Sequence, residues 1–276
     1  MRRSGSAFRR IDLFLQAAAV VISLILAAAG CATTVGSDFN ILSTQEEISL
    51  GERFSAEVEE QETLLDDPVI QASVARVCAR LARVAPRQNV QYTAKVIDAP
   101  DTVNAFALPG GFLYIYTGLL KIYENEAELA GVMAHEIAHV AAYHHGETLT
   151  RIVGLQVMAA MVLGKDPSQT ARLVADLFLS GVTARYSREQ ERQADSLGME
   201  ILFRAGYRPD AMISFMHKLM EYNRGRVYLP IFSSHPRTED RILLLQQLVQ
   251  KYPPDLRSAN PLYIDRYRQE VLTRLN

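Results

Sequence analysis

The chain has 276 residues, 49% of them hydrophobic, and it carries 29 lysines and arginines against 31 aspartates and glutamates. This length suits one sizeable globular domain, and the apolar content is too high for an extended disordered protein. The near balance of charge gives no support to nucleic-acid binding, so we expect no nucleic acid among the partners.

The first thirty residues have the layout of an export signal. Arginines crowd the start, a largely apolar run covers residues 13–29, and Gly30 precedes Cys31. This layout is typical of a secretory signal peptide, and its end resembles a bacterial lipoprotein processing site, at which Cys31 would be lipidated. Ala28 departs from that pattern, in which leucine is more usual. An uncleaved membrane anchor is the alternative, because about 17 apolar residues is near the lower limit for a spanning helix.

Two helices are predicted next. Thr44 with Glu47 has the spacing of a capping box, and Asp67 before Pro68 is typical of a helix start. In the second helix Cys78 belongs to an apolar stripe, so we expect this thiol to pack in the core rather than to react.

The stretch from 90 to 118 has the composition of strands. Two runs rich in aromatic and β-branched residues flank Pro109-Gly110-Gly111, and an extended run that ends at Pro100 precedes them. We therefore predict a small antiparallel sheet.

Helical patterns return after Thr117. Asn125 with Glu128, and Ser187 with Gln190, each have the spacing of a capping box before a helical segment. Between them the sequence predicts an apolar helical hairpin at residues 152–182, each half of which is too short to span a bilayer. This hairpin is either buried, or lies on a membrane, or covers a cleft.

The segment GVMAHEIAHVAAYHH, residues 131–145, holds four of the six histidines. His135 and His139 bracket Glu136 in the pattern H-E-x-x-H. Residues four apart share a helix face, so both imidazoles can bind one metal ion. Glu136 points about 100 degrees away and can act as a base, which is the division of roles that zinc-dependent hydrolysis needs. The alternative is two histidines on the surface of an amphipathic helix.

A catalytic zinc takes three protein ligands, and His145 is the first candidate for the third. It occupies the last position of H-E-x-x-H-x-x-G-x-x-H, but Ala142 stands where that pattern has glycine. If the helix continues, His145 lies about 15 Å along the axis from His135 and on another face. We therefore expect His145 not to reach the same ion.

The second candidate is Glu191, which shares a helix face with Asp195 four residues later. One carboxylate could bind zinc while the other accepts the remaining N–H of a liganding histidine. Two histidines and a glutamate form the thermolysin-like ligand set. The alternative is a solvated charged face.

Four motifs in order, NAFALPGG, HEIAH, YSREQERQAD and SSHPRTEDRI, resemble the membrane-linked gluzincin zinc metallopeptidases. That group includes HtpX, the CAAX prenyl proteases, the mitochondrial inner-membrane quality-control protease, BepA and LoiP. The resemblance covers roughly residues 43–245. It implies a mainly α-helical α+β fold, with a small antiparallel sheet packed beside the zinc-binding helices.

The same resemblance implies the chemistry of the site. It implies one Zn²⁺ per chain, bound by His135, His139 and Glu191, with Glu136 as general base and Asp195 supporting a liganding histidine. Gln193 replaces the acidic residue usual before A-D, which leaves these ligands unaffected.

Further residues are assigned by resemblance alone. His235 and Arg241 are expected to line the cleft as catalytic groups that stabilise the oxyanion, although without the resemblance they would pass for a loop residue and a surface charge. His235 could also occupy the open zinc position at rest. Asn104, Gly111 and Phe112 are expected to bind substrate, with the strand after Gly111 forming an edge for an extended polypeptide.

The expected domains are a lipoprotein signal peptide at 1–30, a linker at 31–42 and a zinc metallopeptidase domain at 43–276. Neither the multiple spanning helices of HtpX nor the helical repeat domain of BepA is recognisable. A compact LoiP-like lipoprotein protease is therefore the expectation.

The expected function is a zinc-dependent endopeptidase of the bacterial cell envelope that cleaves misfolded or extended polypeptides. Lipid on Cys31 would anchor it facing the periplasm, and Ala32 favours the outer membrane. The alternative location is the inner membrane, through an uncleaved anchor. The alternative functions are a chaperone or assembly factor for outer-membrane proteins with a gated or non-hydrolytic zinc site, and a maturation protease for another lipoprotein.

Overall fold

The structure is a computed structural model that describes residue 40 and residues 42–150, 186–222, 229–231, 235 and 239–275. Residues 41–276 form one unit, and of the other unit, residues 1–40, only Asn40 is described. The predicted signal peptide, Cys31 and the predicted hairpin at 152–182 therefore lie outside the described residues. Within the described ranges, no helix combines the length and the apolar character needed to cross a membrane.

The described elements are mainly helices. In chain order they are α1 Thr44–Gln61, α2 Pro68–Ala82, β1 Thr93–Ile97, β2 Ala105–Leu108, β3 Phe112–Tyr116, α3 Thr117–Leu120, α4 Glu126–Ala141, α5 Arg188–Arg204, α6 Ala211–Tyr222, α7 Glu239–Val249, α8 Pro254–Ala259 and α9 Ile264–Glu270. A further helical segment runs from 144 to 150, where the described range ends. This mainly helical α+β architecture with a small sheet confirms the predicted fold class.

The capping box of α1 lies one residue earlier than predicted. The Ser43 side chain accepts a hydrogen bond from the Glu46 backbone, and the Glu46 carboxylate accepts one from the Ser43 backbone. Thr44 is the first helical residue, and the carboxylate of Glu47 instead forms a buried ion pair. The local sequence allows either capping box, Ser43 with Glu46 or Thr44 with Glu47. The ion pair of Glu47 with Arg87 favours the first.

The sheet has the strand order β1–β3–β2. β2 pairs with β3 antiparallel, with Leu108 opposite Phe112, whereas β1 pairs with β3 parallel, with Thr93 opposite Phe112. The sheet is therefore mixed, and the predicted antiparallel pairing is wrong for β1. The chain between β1 and β3 contains β2 and is long enough for a parallel crossover, which sequence patterns do not specify.

Both faces of the sheet are covered. Leu113 and Ile115 of β3 belong to the main core, while Tyr114 and Tyr116, which alternate with them, pack in a second core with Phe54 of α1. The sheet therefore lies between α1 and the helices that carry the main core, among them α2 and α4.

Every residue of α4 is buried. Helices α2, α5 and α6 and strand β2 surround it, which explains a helix without an exposed polar face. Buried charges require partners. Glu126 is paired with Arg266, and Glu128 with Lys218 at 2.7 Å. The histidines and Glu136 of the H-E-x-x-H motif lie in the same enclosed helix.

Candidate metal centre

Four buried side chains converge at α4. His135, His139, Glu191 and His235 each offer one potential ligand atom, and these atoms all lie within 4.8 Å of one another. The Nε2 atoms of His135 and His139 are 3.1 Å apart. Glu191 Oε2 is 3.6 Å from His135 Nε2, and Glu191 Oε1 is 3.6 Å from His139 Nε2. The structure thus brings the three predicted ligands together, with His235 beside them.

Helix α5 reaches this position because it lies directly on α4. The predicted capping box of Ser187 and Gln190 begins the helix, so that Glu191 falls in its first turn. Further along, a β-carbon on Gly198 would lie 3.0 Å from the His135 α-carbon and 3.1 Å from its nitrogen. Only glycine leaves the two backbones this close, and the sequence analysis missed this residue. A glycine inside a helical pattern could have indicated such a close helix contact.

Asp195 lies beside His135, where the resemblance implies a supporting carboxylate. The Nδ1 of His135 lies 3.1 Å from Asp195 Oδ1. A neutral imidazole that directs its Nδ1–H at a carboxylate has its Nε2 lone pair free for a metal. Burial opposes protonation of His135, but hydrogen bonds to Asp195 and Glu191 raise its pKa to about 9. The two carboxylates therefore make this position favourable for positive charge.

Arg241 binds both of these carboxylates. Its Nε and Nη2 donate to Asp195 Oδ2 and Oδ1 at 2.7 Å each, and its Nη1 is 2.6 Å from Glu191 Oε2. The guanidinium is buried and also lines the cavity next to the site. These contacts fix Glu191 and Asp195 relative to each other.

The protonation states of Glu191 and His139 suit metal binding. Burial would raise the pKa of Glu191, but the neighbouring His235 and Arg241 lower it well below its usual value. Burial and the nearby charge of His135 lower the pKa of His139 well below its usual value. Glu191 is thus an anion and His139 is neutral, which are the forms in which these side chains bind metals.

The donor set fits zinc. Two imidazole nitrogens and one carboxylate are the ligands of many catalytic zinc sites. Bonds of about 2.0–2.1 Å in a tetrahedron place neighbouring ligand atoms about 3.3 Å apart. The closest approaches among the side-chain nitrogens and oxygens of His135, His139 and Glu191 are 3.1–3.6 Å. These three residues could therefore hold one zinc ion.

Glu136 and His235 lie against the same group. The Nε2 of His235 is 3.3 Å from Glu136 Oε1, while its Nδ1 is 2.9 Å from Glu191 Oε1 and 3.2 Å from His135 Nε2. Burial raises the pKa of Glu136. His235 therefore bridges the predicted base and two predicted ligands.

The sequence matches Peptidase family M48 over residues 68–249, which is more than half of the chain. The chain belongs to this family. Membership confirms the predicted family and the metallopeptidase class.

Relatives in family M48 come from bacteria and from mitochondria. The beta-barrel assembly-enhancing protease of Escherichia coli is 26% identical over 247 residues, which cover 86% of this chain and 50% of that protein. Mitochondrial metalloendopeptidase OMA1 of Schizosaccharomyces pombe is 30% identical over 178 residues, covering 63% of this chain and 51% of that protein. The chain thus spans about half the length of the curated relatives it matches.

The M48 motif helix does not continue to His145. Helix α4 ends at Ala141, and Tyr143 has a positive φ of 61° that reverses the chain. The assumed continuation, which excluded His145 as a ligand, is therefore wrong. His145 nevertheless lies outside the group of potential ligands, because its Nε2 contacts the Ala107 carbonyl at 2.8 Å and the Tyr186 hydroxyl at 3.0 Å.

The reversal brings in residues that the sequence analysis missed. His144 Nδ1 is 2.9 Å from His139 Nδ1, and His144 Nε2 is 3.0 Å from Gln193 Oε1. The Tyr186 ring stacks on the His139 ring, with centroids 3.7 Å apart. The adjacent histidines His144 and His145 could have indicated further residues near the site. Their positions, however, depend on the change of chain direction at Tyr143.

The strand after Gly111, which was predicted to form the substrate edge, is not an edge strand. Strand β3, which begins at Phe112, is the central strand and is paired on both sides, so it is not an edge. Gly111 is buried with φ 102°, and a β-carbon there would lie 2.9 Å from the Gln91 carbonyl oxygen, so this glycine serves a tight turn. Asn104 directly precedes β2, which is an edge strand.

The edge of β2 that is not paired with β3 lies beside Glu136 of the candidate metal centre. The Tyr116 N–H donates to the Asn104 carbonyl at 3.1 Å. Because hydrogen bonding alternates along an antiparallel pair, the backbone groups of Ala105 and Ala107 point away from β3. Ala107 makes a backbone hydrogen bond to Glu136, and its carbonyl contacts His145.

An apolar cavity adjoins the predicted base. Its walls include His135 and Glu136, and its apolar lining comes from Val132, Met212, Phe215, Met216, Leu219 and Leu245. The cavity therefore offers an apolar environment next to Glu136.

Proposed function

We propose that this chain is a zinc-dependent endopeptidase that cleaves misfolded or extended polypeptides of the bacterial cell envelope. The observation that carries the proposal is the approach of Glu191, from a separate helix, to within 3.6 Å of the paired imidazoles beside Glu136. In a chain of family M48, this is the arrangement that metal-assisted peptide hydrolysis requires.

Zinc held by His135, His139 and Glu191 would supply a Lewis acid for the peptide carbonyl and would acidify water. Glu136 takes the proton from the attacking water and returns it to the leaving amine. Its raised pKa favours this exchange, because a carboxyl group that titrates closer to neutral pH both accepts and releases a proton more readily. His235, next to Glu136, is placed to donate a hydrogen bond to the oxyanion.

Arg241 has a different part in this proposal from the one predicted from sequence. Its guanidinium is occupied by Asp195 and Glu191, so it acts through them and holds the ligand and its support in place. Truncating Arg241 would therefore mainly change the positions of Glu191 and Asp195, rather than remove a hydrogen bond to the oxyanion.

Two features support a polypeptide substrate. Strand β2 is at the edge of the sheet and could add an extended chain by main-chain pairing, which recognises backbone rather than sequence. The apolar cavity beside Glu136 suits one bulky apolar side chain next to the cleaved bond. Misfolded polypeptides present both extended backbone and exposed apolar side chains.

The envelope location rests on the leader and on a relative. Residues 1–30 have the layout of a lipoprotein signal peptide, and we propose that lipid on Cys31 anchors the enzyme facing the periplasm. Ala32 favours the outer membrane over an inner-membrane location through an uncleaved anchor. The name of one relative, beta-barrel assembly-enhancing protease, supports envelope proteins as substrates and envelope-assembly proteins as partners.

The test is Glu136→Gln in the full chain. We expect zinc content to remain and cleavage of unfolded casein to fall by about 10²–10⁴-fold, the usual contribution of a general base. Glu189→Gln, an exposed position of the same chemistry on α5, is the matched control and should keep full activity. Full activity in Glu136→Gln would refute the assigned base.

The second candidate is a chaperone or assembly factor for outer-membrane proteins. The contacts of His235 with Glu136, Glu191 and His135 favour it, because they suit a site that is closed to substrate. An unfolded outer-membrane protein incubated with and without a chelator separates the two functions. Suppression of aggregation that survives chelation, without any cleavage product when zinc is present, supports the chaperone.

A further inference from the structure

His144 lies behind the second predicted ligand. Its ring is buried against His139, with the two Nδ1 atoms 2.9 Å apart and the ring centroids 4.9 Å apart. The Nε2 of His139, on the other side of that ring, faces His135 Nε2 and Glu191. The contact with His144 therefore involves the nitrogen of His139 that a metal would not use.

Gln193 determines the direction of this hydrogen bond. Its Oε1 is 3.0 Å from His144 Nε2, and a carbonyl oxygen can only accept. The proton of a neutral His144 is then on Nε2, which leaves a lone pair on Nδ1. That lone pair can accept the Nδ1–H of His139, so the Nε2 of His139 carries a lone pair directed at the metal position.

From this geometry we propose that His144 is a positioning residue for metal binding, which fixes the tautomer and ring orientation of His139 by accepting its Nδ1–H. The proposal rests on the proposed zinc function of the site. The two ligands then differ in their support. His135 is held by the carboxylate of Asp195, whereas His139 is held by a neutral imidazole that is in turn held by a neutral amide. The second support adds no charge to a site that already has three carboxylates.

The fold holds His144 in place through the reversal at Tyr143. The Nη1 of Arg87 donates to the Val140 carbonyl at 3.0 Å, and the guanidinium lies 3.9 Å over the Tyr143 ring. Glu47 of α1 pairs with the same guanidinium at 2.7 Å, and both side chains are buried. The chain is thus clamped at the point where it turns back, so that the ring of His144 meets His139 rather than solvent.

Two variants at this position separate hydrogen bonding from packing. In His144→Asn, the amide oxygen stands close to the place of Nδ1 and can still accept, whereas His144→Leu fills space without an acceptor. The measurement is the zinc dissociation constant of the purified full chain, by competition with a chelator. We expect His144→Leu to weaken zinc binding by about 10–100-fold, the usual effect of losing such a support. His144→Asn should stay near the parent chain.

Controls exclude a general loss of structure. His217→Leu, an exposed histidine on α6, should leave zinc affinity unchanged. Thermal unfolding in excess chelator should show the two His144 variants folded. Parent-like zinc binding by His144→Leu overturns the proposal, and so does an equal loss in both His144 variants, since volume would then explain the effect.

A measurement on the parent chain does not depend on any variant. In the zinc-loaded protein with ¹⁵N-labelled histidines, an N–H···N hydrogen bond gives a scalar coupling between the Nδ1 atoms of His139 and His144. Observing it supports the proposal, and an uncoupled His139 Nδ1 that exchanges its proton freely with water overturns it.

A parent chain that binds no zinc overturns this proposal together with the proposed function. Zinc binding with an inactive Glu136→Gln but no such coupling overturns this proposal alone.

Discussion

Gly198 of α5 lies against the backbone of His135 in α4, so closely that a β-carbon at position 198 would sit 3.0 Å from the His135 α-carbon. The two helices that carry the predicted ligands therefore meet at a residue with no side chain. The distance between Glu191 and the imidazoles depends on this contact, because both Glu191 and Gly198 belong to the same rigid helix.

Replacing Gly198 by valine should move α5 away from α4. We expect Gly198→Val to weaken zinc binding at least tenfold and to reduce the free energy of unfolding by about 1–3 kcal/mol, the usual effect of overpacking. Chelator competition and urea unfolding measure the two effects. Glu200→Val introduces the same side chain at an exposed position of α5 and should leave zinc affinity unchanged. Unaltered zinc affinity in Gly198→Val would show that the helix contact does not set the ligand geometry.

Truncation of Arg241 should destabilise the chain. Arg241→Met leaves Glu191 and Asp195 buried without their cation, and breaking such a buried pair costs about 3–5 kcal/mol. Urea unfolding in the presence of a chelator measures this loss. Arg241→Lys should restore only part of it, because an ammonium group cannot make the bidentate contact to Asp195. Lost cleavage at unchanged stability would instead favour the direct catalytic role predicted from sequence.

Filling the apolar cavity should change which bonds are cut. Val132 lines that cavity from α4, so we expect Val132→Phe to lower cleavage next to bulky apolar residues more than cleavage next to small ones. Mass spectrometry of casein fragments compares the two classes of bond. Val69→Phe, at a half-buried position on α2, is the control. An identical fragment pattern in Val132→Phe and the parent would remove the cavity from the substrate site.

Cys78 should be chemically inert in the folded chain. Burial raises its pKa to about 12, so very little thiolate is present at pH 8 and the thiol is also inaccessible. We expect the peptide that contains Cys78 to remain unlabelled by iodoacetamide at pH 8 and to become labelled in urea. Rapid labelling without denaturant would contradict the predicted core position.

The part of the site that could be predicted from sequence is the part that follows from helix periodicity. His135 and His139, four residues apart, share a face, and so do Glu191 and Asp195, so each helix could be assigned its role before the structure. The capping box at Ser187 fixed where the second helix begins. These features depend only on residues a few positions apart in the sequence.

The features that could not be predicted depend on distant contacts. Tyrosine rarely adopts positive φ, and nothing near Tyr143 in the sequence indicates that Arg87 stabilises a reversal there. The parallel pairing of β1 with β3 skips β2, the next strand along the chain, and no local pattern specifies it. The engagement of Arg241 by two carboxylates of α5 likewise joins residues about fifty positions apart.

The buried pair of Glu47 and Arg87 connects the beginning of the described chain to the last turn of α4. A shortened protein that starts after α1 would remove the carboxylate that pairs with the Arg87 guanidinium, and breaking a buried ion pair is costly. Helix α1 is therefore an integral part of the peptidase fold and not a linker. Any shortened version made for biochemistry must keep the chain from Ser43 onward.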